Sequence, residues 1–113
     1  MKANEFVKKF GWGEARKIVD GHKFAFHPSF KHWSIKHNDY YLVERDYTVA
    51  IADLKRLVES WELVEEFGDD ISYLKSHLSK CPTVITHFYL ESWNQTFTRE
   101  RLEKAIADVE SCL

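Results

Sequence analysis

Residues 47–67 constrain the fold most, because their apolar side chains recur at three- and four-residue spacing. The apolar positions are Tyr47, Ile51, Leu54, Leu57, Val58, Trp61, Val64 and Phe67. This spacing places them on one stripe of an α-helix, wider than the seam of a two-stranded coiled coil. The pattern predicts a long helix packed on a core, which begins after an Asp46 N-cap and ends at Gly68.

Two shorter helices are predicted near the start of the chain. Residues 4–10 and 13–20 have helical apolar spacing and are joined by a glycine corner at Gly11. Asn4 is the predicted N-cap of the first helix, and Gly21 is expected to end the second.

Two further helices are predicted in the second half of the chain. One begins after Asp69 or Asp70 and stops before Pro82, and the last begins after a Thr98 N-cap. Residues 83–90 are β-branched and aromatic, which predicts a strand between these helices.

Strand periodicity appears in residues 22–44, where aromatic side chains alternate with polar ones. We expect three antiparallel strands there, centred on residues 24–26, 33–35 and 40–43. Together with the helices, this predicts an α+β fold in which a small antiparallel sheet packs against helices.

Composition favours one domain over residues 1–113, because 44% of the 113 residues are hydrophobic and 15% are aromatic, enough for a core. Two cysteines, Cys81 and Cys112, are too few for a disulfide scaffold. No apolar run approaches the ~20 residues that span a bilayer, and the start lacks a signal-peptide pattern. We therefore expect a cytoplasmic protein without a membrane segment.

Three short matches recur in the same order and suggest an internal duplication. Residues 5–11 match 62–68, residues 40–42 match 88–90, and residues 58–60 match 109–111. Each copy, 1–60 and 61–113, would then contain a helix, a glycine corner, a second helix, strands and a final helix. Chance similarity between short amphipathic helices remains the alternative. Lys8 and Lys9 of one copy correspond to Glu65 and Glu66 of the other.

No catalytic residue, metal site or cofactor is expected from the sequence. The histidines at 22, 27, 32 and 37 fall five residues apart, whereas one helix face needs a spacing of four and one strand face a spacing of two. Turns could still bring two of them together. The chain lacks a nucleophile elbow, a P-loop, a dinucleotide fingerprint and a zinc-protease helix.

Charge is distributed unevenly along the chain. Residues 1–56 carry eleven Lys or Arg against seven Asp or Glu, and residues 57–113 carry five against eleven. In residues 23–41, lysines alternate with aromatic side chains, a combination that binds single-stranded nucleic acid in some small sheets. Aromatic side chains in a half-buried sheet more often belong to the core, so this interpretation is the alternative one.

Three segments resemble small accessory proteins of lambdoid phages and enterobacterial prophages. They are residues 4–12, residues 53–60 with 62–64, and residues 102–112, about a third of the chain. The resemblance implies expression inside a bacterium, where many such products bind and modulate a host protein, including proteins of host defence. It supplies no catalytic or binding residue.

The leading hypothesis is a non-enzymatic accessory protein that binds and modulates or inhibits a host protein. Trp and Tyr dominate interface hot spots, and lysines can frame them. The partner-binding residues that we expect are Trp12, Trp33, Trp93, Lys31, Lys36 and Tyr40. The alternative is a nucleic-acid-binding regulator that uses the basic aromatic face at 23–41. Self-association as a homodimer stays open.

Overall fold

The described residues form helices and two small antiparallel sheets, so the predicted α+β class is confirmed. The computed structural model describes residues 1–23, 29–68, 70–82 and 86–113. The chain divides into two compact units: residues 1–58 with 112–113 form the first, and residues 59–111 the second.

The first unit begins with two helices, α1 (Ala3–Phe10) and α2 (Trp12–Lys23). Gly11 between them has φ +90°, a backbone conformation that side-chain-bearing residues rarely adopt, so the predicted glycine corner is confirmed. Two boundaries were predicted wrongly. Lys2, not Asn4, is the N-cap of α1, and α2 continues through Gly21.

Three strands complete the sheet of the first unit: β1 (His32–Ser34), β2 (Asp39–Tyr41) and β3 (Thr48–Ala50). Both neighbours of the central strand β1 run antiparallel to it. Two predicted strands are present, shortened to β1 and β2. The predicted strand at 24–26 lies outside the described residues.

Helix α3 spans Ile51–Glu66, so its predicted beginning at residue 47 is wrong. Residues 48–50 instead pair with β1 as β3, and the Ile35 amide donates to the Tyr47 carbonyl at 2.9 Å. Asp46 lies in the preceding turn and does not cap the helix. The apolar spacing could not reveal this strand. Tyr47 and Ile51 are four residues apart, which is also the spacing of one helix face.

The core of the first unit gathers apolar side chains from its helices and from β3. Its buried members are Ala3, Phe6, Val7, Ala15, Ile18, Val19, Val49, Ile51, Leu54, Leu57, Val58 and Cys112. Trp12, Trp33 and Tyr40 are half-buried and pack against this cluster. Burying such side chains stabilises the folded state by about 1.5–3 kcal/mol each.

The second unit contains the C-terminal half of α3, then α4 (Ile71–Lys80), β4 (His87–Leu90), β5 (Gln95–Thr98) and α5 (Arg99–Glu110). A short 3-10 helix, Glu91–Trp93, links the two strands. Residues 87–90 confirm the end of the predicted strand, and residues 83–85 lie outside the described part. The sequence reasoning missed β5.

Caps and one arginine fix the helix ends of the second unit. The side chains of Asp70 and Thr98 accept backbone hydrogen bonds at the starts of α4 and α5, as predicted. Arg99 donates to the carbonyls of Leu78, Cys81 and Pro82 at 3.0–3.3 Å. The last carbonyls of a helix have no hydrogen-bond partner within the helix. The Arg99 guanidinium supplies donors for such carbonyls at the C-terminal end of α4.

Both units follow the same element order, which is helix, glycine corner, helix, strands and helix. The division after residue 58 falls close to the predicted repeat boundary after residue 60. Gly68 has φ +132°, so both aligned glycines adopt positive φ. The common order agrees with a duplication, which itself stays a prediction.

Candidate functional site

The first unit carries a cluster of rings beside β2. His37 stacks on Tyr41, with ring centroids 5.2 Å apart and planes at 8°. Tyr47 meets both rings edge-on, at 5.5 Å from His37 and 5.7 Å from Tyr41. The Lys36 ammonium lies 5.3 Å from the Tyr47 centroid, within cation–π range. We call these four side chains the ring cluster.

Hydrogen bonds hold the ring cluster in place. The Tyr47 hydroxyl donates to the Tyr41 hydroxyl at 3.1 Å. This bond, then burial, raises the pKa of Tyr47 above its usual value. The Tyr47 hydroxyl therefore keeps its proton near neutral pH and donates it to Tyr41.

Ser34 closes the turn that carries His37, and it is fully buried. Its hydroxyl shares a 2.8 Å hydrogen bond with His37 Nδ1 and accepts the His37 backbone N–H at 3.1 Å. A Ser–His pair is a common nucleophile–base arrangement, but Ser34 has 0% of its surface exposed. A substrate cannot reach this hydroxyl, so the pair stabilises the turn.

Two consecutive apolar residues follow Tyr41 and are exposed. Leu42 has 57% and Val43 has 41% of its surface open to solvent. We call Leu42 and Val43 together with the ring cluster the loop patch. The run at 40–43 indicates such exposure, because it does not alternate and a strand with one buried face cannot bury four consecutive side chains.

The predicted partner-binding residues are divided between the two units. Lys31 and Lys36 are exposed, and only Lys36 belongs to the ring cluster. Trp12 and Trp33 are half-buried against the core of the first unit, and Trp93 belongs to the second unit.

Tyr40 points inward, where its hydroxyl donates to the Ile18 carbonyl at 2.7 Å. Trp33 meets the Tyr40 ring edge-on at 5.0 Å. Burial, then the nearby Asp39 carboxylate, raises the pKa of Tyr40. These contacts give both rings a structural role in the first unit, and the prediction that they anchor a partner stays a prediction.

The histidines do not converge in the described part of the chain. His22 Nε2 donates to the Phe30 carbonyl at 2.8 Å, and His37 bonds Ser34. His32 lies in β1, and its buried Nδ1 has no hydrogen-bond partner among the described residues. His27 lies outside them. Within the described ranges, no three His, Cys, Asp or Glu side chains lie close enough together to hold a metal ion.

Comparison with known proteins places this chain in no family. No family description, no curated protein and no solved structure matches it. Across the residues that the structure describes, none of the helices has the length and apolar character that crossing a bilayer requires.

Proposed function

We propose that this protein is a non-enzymatic binding module that docks on a host bacterial protein and modulates or inhibits it. The observation that carries the proposal is the loop patch, where two exposed aliphatic residues directly follow Tyr41, whose ring packs with a second tyrosine and a histidine. Tyrosine is enriched at protein interfaces, and burial of exposed aliphatic side chains favours association.

Preorganisation of the loop patch supports the same proposal. Its rings are stacked and hydrogen-bonded before any partner arrives, so binding would cost little side-chain entropy. The resemblance to phage accessory proteins supplies the biological part of the proposal. The partner is then a protein of the bacterial cytoplasm, and a host-defence protein is one candidate.

The nucleic-acid alternative has weaker support. Lys31 and Lys36 are exposed and Lys36 lies beside a ring, which favours it. However, Trp33 and Tyr40, two of the rings meant to stack on bases, pack against the core. In residues 23–41, three Lys are balanced by one Asp, and a net charge of +2 is small for a surface that would bind nucleic acid through its phosphates.

The test is affinity capture from bacterial lysate with the full chain, followed by reconstitution with the purified captured protein. We compare the wild type with a Leu42→Ser/Val43→Ser variant, and use Tyr73→Ser as a matched control, since Tyr73 is an exposed ring in α4. The proposal expects a saturable complex, resistant to nuclease, that the loop variant weakens at least tenfold and the control does not.

Two results would count against the proposal. Loss of all captured material after nuclease treatment, with binding that falls steeply as salt rises, would favour the nucleic-acid alternative. A complex that tolerates the Leu42→Ser/Val43→Ser variant would show that the loop patch is not the docking surface.

A further inference from the structure

A pocket of about 320 Å³ lies in the second unit beside Trp93. Trp93 and Phe97 provide aromatic lining, and their rings meet edge-on with centroids 5.8 Å apart. Buried Leu63 adds an aliphatic surface, and the Glu59 and Glu62 carboxylates come from the same helix, α3. Aromatic faces together with carboxylates suit a cation that also has an apolar stem.

Side-chain hydrogen bonds of the residues before and after Trp93 stabilise its turn. Ser92 Oγ donates to Glu66 Oε1 at 2.5 Å and so ties the turn to α3. The Tyr89 hydroxyl donates to Asn94 Oδ1 at 2.6 Å, where Asn94 adopts a left-handed conformation with φ +49°. The indole is thus positioned before a ligand arrives, which lowers the entropy cost of binding.

Arg101 also lines the pocket, but its guanidinium donates to a polar network around the buried Ser60. Its Nη1 donates to Ser60 Oγ at 3.3 Å, and Ser60 donates to Asp108 Oδ2 at 2.8 Å. The pocket lining therefore holds two carboxylates against one guanidinium. Residues 59–111 as a whole carry eleven Asp or Glu against five Lys or Arg, so the field of the unit attracts cations.

We infer that this pocket binds an arginine side chain of a partner protein. A guanidinium is planar, so it stacks on an indole face while it donates several hydrogen bonds to carboxylates. Lysine offers only a compact ammonium, which matches the two flat rings less well. The inference rests on the proposed function, because it supplies the chemistry of one contact that the partner makes.

The test is a titration of the full ¹⁵N-labelled chain with Nα-acetyl-arginine amide, followed by NMR. The neutral isostere Nα-acetyl-citrulline amide serves as the control probe. We expect the arginine probe to shift the Trp93 indole N–H and the Leu63 and Gln95 amides in a saturable way. The citrulline probe should bind at least about fivefold more weakly, since it lacks the positive charge.

Variants separate a specific pocket from general attraction to an acidic protein. Glu59→Gln/Glu62→Gln removes the two pocket carboxylates, and Glu65→Gln/Glu103→Gln removes two exposed carboxylates that do not line it. The pocket variant should weaken arginine binding about fivefold, and the control variant should change it less than twofold. Equal weakening by both variants would overturn the inference.

Two further outcomes would also overturn it. One is an arginine titration that leaves the Trp93 indole N–H unmoved. The other is binding of Nα-acetyl-lysine amide as tight as that of the arginine probe, because the flat guanidinium would then not be what the pocket selects. None of these titrations uses a partner protein, so failure of the pocket is distinguishable from failure of the proposed function.

Discussion

The two units have the same order of elements but different surfaces. In both, a helix with two adjacent buried apolar residues leads into a glycine with positive φ. Phe6 and Val7 are buried in the first unit, and Leu63 and Val64 occupy the matching buried positions in the second. The shared features are two buried apolar residues and a glycine that lets the chain turn sharply after the helix. Core packing and this backbone conformation tolerate few other residues at these positions.

The two units differ in the charge and shape of their exposed surfaces, where a partner would bind. The first unit has eleven Lys or Arg against seven Asp or Glu, an inward-facing Tyr40 and an apolar exposed loop after β2. The second unit is acidic and has a pocket lined by Trp93 and Phe97. A common framework can therefore present an apolar surface in one unit and a cation-binding pocket in the other.

Truncating the matched core positions should produce the largest effect. Phe6→Ala should cost about 3–5 kcal/mol of unfolding free energy, and Leu63→Ala about 2–5 kcal/mol, since each leaves a cavity among buried neighbours. Urea denaturation followed by circular dichroism measures both. Lys8→Ala and Glu65→Ala are the controls, because they are aligned with each other and exposed, and each should change stability by less than about 0.5 kcal/mol.

A cost below about 1 kcal/mol for Leu63→Ala would contradict the equivalence of the two positions. A large cost for either control would show that the aligned charges have a role in stability beyond that of exposed side chains. Both results would weaken the case for a duplicated framework.

The serines of the repeated Val-Glu-Ser triplet should differ in their contribution to stability, by less than the core truncations cost. Ser60 has 0% exposure and bonds Asp108 and Arg101, whereas Ser111 is exposed and donates to the Asp108 carbonyl. Ser60→Ala should cost about 1–3 kcal/mol, because it removes a buried hydrogen-bond partner from two charged groups. Ser111→Ala should cost less than about 0.5 kcal/mol. Equal costs in thermal unfolding would mean that the Ser60 network contributes no more than an exposed hydroxyl.

The sequence predicted the elements that local chemistry determines. Asp70 and Thr98 cap their helices because an acidic or hydroxyl side chain reaches the N–H groups of the following turn. Gly11 adopts positive φ because no side chain opposes it. The wrong boundaries depend on distant residues. Residues 48–50 became a strand because β1 was available to pair with them, which helical spacing cannot reveal.

The candidate surfaces were harder to predict, because exposure depends on the finished packing. The structure places Tyr40 and Trp33 half-buried against the core, and their role as partner anchors stays a prediction. The sequence reasoning assigned no role to Leu42 or Val43, which are exposed. The pocket beside Trp93 needs Phe97 from β5, a strand that the sequence analysis missed. The amino-acid types indicate which aromatic side chains could bind a partner. Which of these side chains are exposed depends on how the chain folds.

The glycines of α2 provide the prediction with the smallest expected change in stability. The corresponding helix of the second unit, α4, contains no glycine. A Cβ built on Gly21 would lie 2.5 Å from the Tyr40 hydroxyl oxygen, whereas one on Gly13 would meet nothing within 4 Å. Helical Gly→Ala changes normally stabilise a protein, so Gly13→Ala should gain roughly 0.5 kcal/mol. Gly21→Ala should instead cost about 1 kcal/mol, because it displaces the hydroxyl from the Ile18 carbonyl.

The double variant Gly21→Ala/Tyr40→Phe separates this contact from helix propensity. Without the hydroxyl, the nearest Tyr40 ring carbon lies 3.7 Å from the new Cβ, an ordinary van der Waals distance. Alanine at position 21 should therefore stabilise the Tyr40→Phe protein by roughly 0.5 kcal/mol while it destabilises the wild type. If Gly21→Ala has the same sign in both backgrounds, as measured by urea denaturation, the hydroxyl is not what requires glycine in this helix. The inward position of Tyr40, on which the contrast between the units partly rests, would then lose its support.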